Sequence, residues 1–186
     1  TLRFVRVFWG LDPNLAYSRH YPAVNWIQSY SAYVDSVSKW WEENVERDWR
    51  ELRHELYQIL RREDELLEIV RLLGPEALPD DEKLILDVAR MIREGFLQQS
   101  AYDPVDTYCS PQKQIKMLKL YTKFYRSAKS ALDRGVPLRE IRSMKVIADI
   151  IRSKSTIRND ELQKFDELEK RMDEEFSKLM IERAAA

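Results

Sequence analysis

The residues best suited to metal ligation or nucleophilic chemistry are few and scattered. His20 and His54 are the only histidines, and Cys109 is the only cysteine. Neither histidine lies in an H-E-x-x-H motif, and no partners for a metal site or a Ser/His triad are apparent. One cysteine excludes an internal disulfide framework and a multi-cysteine zinc site. The four glycines, Gly10, Gly74, Gly95 and Gly135, are isolated from one another. No G-x-x-x-x-G-K-[ST] or G-x-G-x-x-G loop therefore exists to cradle phosphates. No catalytic residue and no metal ligand is assigned, and the chain alone does not read as a self-sufficient enzyme.

Charge offers a different chemistry. The 186 residues carry 31 Lys and Arg against 32 Asp and Glu, a net charge of -1. That balance hides a segregation. Residues 42–98 hold 16 acids and nine bases, whereas residues 112–158 hold 13 bases and three acids. A basic helical hairpin over 112–158, with Gly135-Val136-Pro137 as its turn, is one way to build a nucleic-acid-binding or adaptor module. The competing reading is that these bases face solvent or the acidic half of the same domain. The second reading is favoured, because the chain as a whole is not basic and base-reading Asn and Gln are absent from the hairpin's second helix.

The elements that carry these residues are mainly helical. Leu2 to Trp9 is rich in β-branched and aromatic residues and reads as a strand. Nothing later in the chain reads as its partner, so the strand is expected to belong with sequence outside the chain; the alternative is a short edge hairpin with an unrecognised second strand. Asp12-Pro13 starts a short helix that Pro22 must end. Ala23 to Leu73 contains neither Gly nor Pro, and its apolar residues, including Trp26, Tyr30, Trp40, Trp49, Leu56 and Leu66, recur at helical spacing. Two or three consecutive helices are predicted there, with a joint near 61–64. Gly74-Pro75 closes that stretch, and Pro79-Asp80-Asp81-Glu82 opens the next helix. A polar loop over 98–109 precedes Ser110-Pro111, which starts a helix ended by Gly135. Pro137 starts another through Ile151, and a last helix runs from about Asn159. The fold class is mainly α: a helical bundle over 13–183 behind a short N-terminal β-strand within 1–12. No apolar run approaches the ~20 residues of a membrane-spanning helix, and no signal peptide is visible.

Three segments are more specific. They are Arg19-His20-Tyr21-Pro22-Ala23-Val24-Asn25-Trp26, the run Leu73-Gly74-Pro75-Glu76-Ala77-Leu78-Pro79-Asp80-Asp81-Glu82-Lys83, and Glu94-Gly95-Phe96-Leu97-Gln98-Gln99-Ser100-Ala101-Tyr102. Their order and spacing resemble the C-terminal part of the catalytic chain of archaeal A-type ATP synthases and vacuolar-type ATPases. The resemblance runs from about Val5 to near Gly135 and is looser beyond.

The resemblance implies that Tyr21, Phe96 and Tyr102 pack around the adenine of a nucleotide. It implies that Glu76, Asp80, Asp81 and Glu82 lie on a helix-loop-helix lever that meets the central rotor stalk. The phosphate loop, the metal-binding hydroxyl and the water-orienting carboxylate of that family belong to a nucleotide-binding domain, of which residues 1–12 would be a strand remnant. Without those parts phosphoryl transfer is not expected, since it rests on positioning and charge stabilisation. Mg-bound ATP or ADP is expected in the intact catalytic chain, with little affinity for this stretch alone. The implied partners are that chain's own nucleotide-binding domain, the non-catalytic B subunits and the central-stalk subunits, with no nucleic acid and no membrane insertion. The implied setting is the cytoplasmic, peripheral part of a membrane-bound proton- or sodium-translocating complex.

Overall fold

A computed structural model describes residues 4–184, and for residue 184 the backbone alone. The expected strand residues Leu2 and Arg3 lie outside that span. The chain folds as β1 (Val7–Leu11), α1 (Pro13–Tyr17), β2 (Val24–Ser31), α2 (Val34–Asn44), α3 (Trp49–Leu73), α4 (Asp80–Ile92), α5 (Pro111–Asp133), α6 (Leu138–Arg142), α7 (Val146–Thr156) and α8 (Gln163–Ala184). A 3-10 turn over Pro75–Ala77 joins α3 to α4, and a π-helical turn over Arg93–Leu97 continues α4.

The helix starts at Asp12 and Ser110 follow local chemistry. The Asp12 carboxylate accepts from the backbone N–H groups of Asn14 and Leu15, and the Ser110 hydroxyl from that of Lys113. Each is followed by Pro at the first helical position, where a missing N–H costs nothing. Gly74 (φ 84°) and Gly135 (φ 85°) end α3 and α5 in the left-handed region that glycine tolerates.

Several expectations are corrected. The partner of β1 lies within the chain: β2 pairs antiparallel with it, with Val7 opposite Ser31 and Leu11 opposite Val24. The Trp26–Tyr30 spacing that suggested a helix falls where the register shifts, between Phe8 and Gly10 on the facing strand. An irregular ladder does not show the strict alternation by which a strand is read. No joint occurs near 61–64, because α3 is continuous from Trp49 to Leu73. Polar residues there suggested a phase change, but Glu63 is buried and paired with Arg93. The break falls instead at 45–48. The helix expected from Pro137 through Ile151 divides into α6 and α7 around Ser143, whose hydroxyl donates to Glu140 O at 2.7 Å. The last helix begins at Gln163, not Asn159; the Asn159 side chain instead accepts from Ser110 N and donates to Tyr108 O.

The core lies among α3, α4, α5, α7 and α8, where Leu56, Val88, Tyr121, Phe124, Ile150 and Met172 are buried. Phe124 and Phe176 meet with ring centroids 5.5 Å apart and tie α5 to α8. Among the described residues no helix is long and apolar enough to cross a membrane.

Candidate functional site

The first and third segments meet at one end of the bundle. Gln99 N donates to Tyr21 O at 2.8 Å, and Gln98 Nε2 donates to Arg19 O at 3.3 Å. His20 is buried beneath them, with Nε2 3.2 Å from Arg93 O and its ring 5.7 Å from that of Trp26. Above these contacts runs a groove of about 950 Å³, lined among others by Arg19, Tyr21, Gln99, Tyr102, Arg152 and Lys154. The Tyr102 side chain is fully exposed and Tyr21 is half-exposed. Two flat aromatic faces are thus accessible in one concave site.

Phe96 is placed differently. It packs edge-on against Tyr121, centroids 6.5 Å apart, on the far side of the Gln98–Gln99 segment. It borders an adjoining cavity of about 230 Å³ that shares Gln99, Asp106 and Lys154 with the groove. Of the three aromatics named from sequence, the fold brings Tyr21 and Tyr102 to one groove and sets Phe96 next to it.

The loop that carries Tyr102 is held by buried charge. The Asp106 carboxylate accepts from Ser100 N at 2.7 Å and stands 3.8 Å from Lys154 Nζ. Lys154 also donates to Gln98 O, and Lys113 Nζ donates to Lys154 O at 2.6 Å. Burial pushes the pKa of both lysines below the usual value, with nearby carboxylates partly offsetting it. Asp103 accepts from Val105 N and Asp106 N, and these backbone bonds hold its carboxyl below the usual range. Burial also pushes the Cys109 thiol up, against a Lys113 charge that lowers it, so Cys109 is a poor nucleophile. Beneath the groove, Arg93 pairs with Glu63 of α3; burial nevertheless holds the Glu63 carboxyl above its ordinary range. Sequence reasoning missed Glu63, Arg93, Asp106, Lys113 and Lys154. Their one signal was charged residues on otherwise apolar helix stripes.

The second segment forms the far tip of the α3–α4 hairpin. Leu78 is buried and anchors the turn, while Leu72 and Leu73 are exposed beside it. Lys83 Nζ lies 3.6 Å from Glu76 and 3.9 Å from Asp80, and Arg62 pairs with Glu82 at 2.5 Å. Asp81 is exposed and has no ion-pair partner among the described residues.

The basic stretch faces acids of its own chain. Lys119 pairs with Glu46, Arg126 with Glu55 at 2.5 Å, and Arg142 with Asp87 at 2.7 Å. Lys116 pairs with Asp166 at 2.5 Å, and Lys123 with both Glu169 and Asp173. These pairs leave the nucleic-acid reading of the 112–158 hairpin unfavoured. Among the described residues no group of three or more His, Cys, Asp or Glu could hold a metal ion.

Comparison with known proteins bears on all three segments. The chain is 54% identical to the catalytic-type "A" polypeptide of the A-type ATP synthase of Ignicoccus hospitalis, over 96% of its own length and 30% of the relative's. It is 55% identical to the polypeptide of the same name from Methanopyrus kandleri, over 98% of the chain and 31% of the relative. The Metallosphaera sedula counterpart is 53% identical over the whole chain and 32% of the relative. The chain thus spans about a third of the length of the curated relatives it matches. A family model described as the C-terminal domain of V and A type ATP synthase matches residues 38–142, and the chain belongs to that family.

Proposed function

We propose that this domain is the moving helical part of a rotary ATP synthase's catalytic subunit, supplying one wall of the adenine site and the lever that meets the rotor. The observation that carries the reading is the convergence of Tyr21 and Tyr102 on one groove, from segments joined by the Gln99 N to Tyr21 O bond. A purine presents a flat π-face to such rings, and stacking is worth about 1–3 kcal/mol per base. Phe96 supports the slot from behind, through its edge contact with Tyr121. ATP or ADP with Mg²⁺ would have its phosphates held by another domain of the same polypeptide.

The same packing connects groove to lever. Arg93 O receives His20, and the Arg93 side chain reaches Glu63 within α3. A displacement of the Arg19–Tyr21 segment is thus passed to the α3–α4 hairpin as a rigid-body movement. Its tip, with Glu76, Asp80, Asp81 and Glu82, would meet a basic surface of the central stalk, and the B subunits would flank the domain. The complex would sit at the membrane as a peripheral assembly on the cytoplasmic side.

The test is made in the full-length polypeptide, assembled with its rotor. Tyr21→Ala and Tyr102→Ala should each weaken ADP binding about tenfold and leave the helical circular dichroism unchanged. Asp80→Lys with Asp81→Lys should spare ADP binding and impair rotation-coupled turnover. Unchanged ADP affinity in both tyrosine variants would sink the adenine slot. Equal effects of the lysine variants on binding and turnover would sink the lever.

A further inference from the structure

The charges around the groove do not cancel evenly. Of its acids, Glu94 is paired with Arg90 at 2.8 Å, Asp106 is held by Ser100 N and Lys154, and Asp103 accepts two backbone N–H groups of its own turn. Of its bases, Lys154 is engaged with Gln98 O and Asp106. Arg19 and Arg152 line the groove too, and neither guanidinium has an ion pair or side-chain hydrogen bond among the described residues. The Arg19 backbone sits at φ 58°, an uncommon conformation for a residue with a Cβ. Its carbonyl is tied to Gln98 Nε2, which fixes the residue at the rim. Two uncommitted forked donors thus share one concavity with two aromatic faces. Its volume falls in the range of about 300–1,000 Å³ that suits small ligands.

We infer that this groove is a nucleotide site in its own right, with the base against Tyr21 and Tyr102 and a phosphate held by Arg19 and Arg152. The ligand class is a purine nucleoside monophosphate or the proximal phosphate of a longer nucleotide. Guanidinium groups suit it because they offer paired N–H donors to phosphate oxygens at fixed geometry. The inference rests on the aromatic slot proposed above and adds an anion contact that this chain supplies without a phosphate loop. It also gives a role to α7, which lies beyond residues 38–142 matched by the family model.

The experiment is a chemical-shift titration of the isotopically labelled 186-residue chain with adenosine, AMP and inorganic phosphate. At low salt AMP should bind about tenfold more tightly than adenosine, as two partly exposed charge contacts allow. That advantage should shrink as salt is raised. It should vanish in Arg19→Ala/Arg152→Ala and persist in Arg139→Ala, an exposed base away from the groove. Adenosine binding that AMP does not improve would overturn the arginine contact and leave the aromatic slot standing. An AMP advantage that survives the double variant would overturn it equally. Inorganic phosphate binding as tightly as AMP would remove the base from the site and sink the slot with it. Failure of both adenosine and AMP to bind would refute both.

Discussion

At the scale of single residues, the sharpest constraint beneath the groove is Gly95. A Cβ there would overlap the Tyr121 hydroxyl and stand 3.0 Å from Ile151 Cα. Glycine is needed because α4's π-helical turn and α7 approach backbone to backbone at this point. Burial pushes the Tyr121 phenol well above its ordinary pKa, so its hydroxyl stays protonated and donates to Ile150 O at 3.3 Å. Gly95→Ala should therefore cost about 1–3 kcal/mol, the usual range for forcing a group into a filled core. Tyr121→Phe should cost about 1 kcal/mol for the lost hydrogen bond. The double variant should be more stable than the sum of the two losses, since removing the hydroxyl clears the worse overlap. Urea unfolding of the four proteins checks this, and strictly additive losses would show that Ile151 sets the limit instead. Nothing in the sequence foretold the contact. Gly95 was legible as an isolated glycine in a specific segment, but what it meets comes from residues far along the chain.

At the scale of elements, legibility followed the range of the interactions involved. The caps at Asp12 and Ser110 and the stops at Gly74 and Gly135 were readable because each is settled within four residues. β2 and the unbroken α3 were not, because one depends on an irregular ladder with β1 and the other on a Glu63–Arg93 pair between helices. The end of α7 is a second case of distant control. Lys154 O lies in its last turn, where carbonyls lack intrahelical partners, and the buried Lys113 ammonium of α5 fills that role at 2.6 Å. A cation there also complements the negative end of the helix dipole. Lys113→Met keeps the stem and removes the donor, and should lower stability by about 1–3 kcal/mol. The folded pKa of Lys113 is depressed, chiefly by burial. Its contribution is therefore fully present only above the ordinary lysine pKa and is lost as pH falls through the folded value. The deficit of Lys113→Met should accordingly widen on going from neutral to alkaline pH. Thermal unfolding across that window measures it, and a deficit that narrows instead would argue against the cap.

At the scale of the whole molecule, the near-zero net charge is an arrangement of opposed surfaces. α5 lies between acids of α2–α3 and acids of α8, and its bases reach both ways: Lys119 and Arg126 to one side, Lys116 and Lys123 to the other. The segregation was legible by counting, but the identity of the facing acids needed the fold, because α8 follows α5 only after two shorter helices. Lys123 tests whether the arrangement steadies the bundle. Burial works against its ammonium, yet Asp173 and Glu169 together hold its pKa above the usual lysine value. Lys123→Glu would set three carboxylates together on the α5–α8 seam. Two partly exposed pairs lost, and repulsion of similar size gained, give an expected cost of about 1–2 kcal/mol. The cost should shrink in 1 M salt, where screening acts over about 3 Å. Adding Asp173→Lys should restore most of it by recreating one pair with reversed sign. A loss that neither salt nor the second substitution relieves would place the contribution of Lys123 in the packing of its aliphatic stem rather than in its charge.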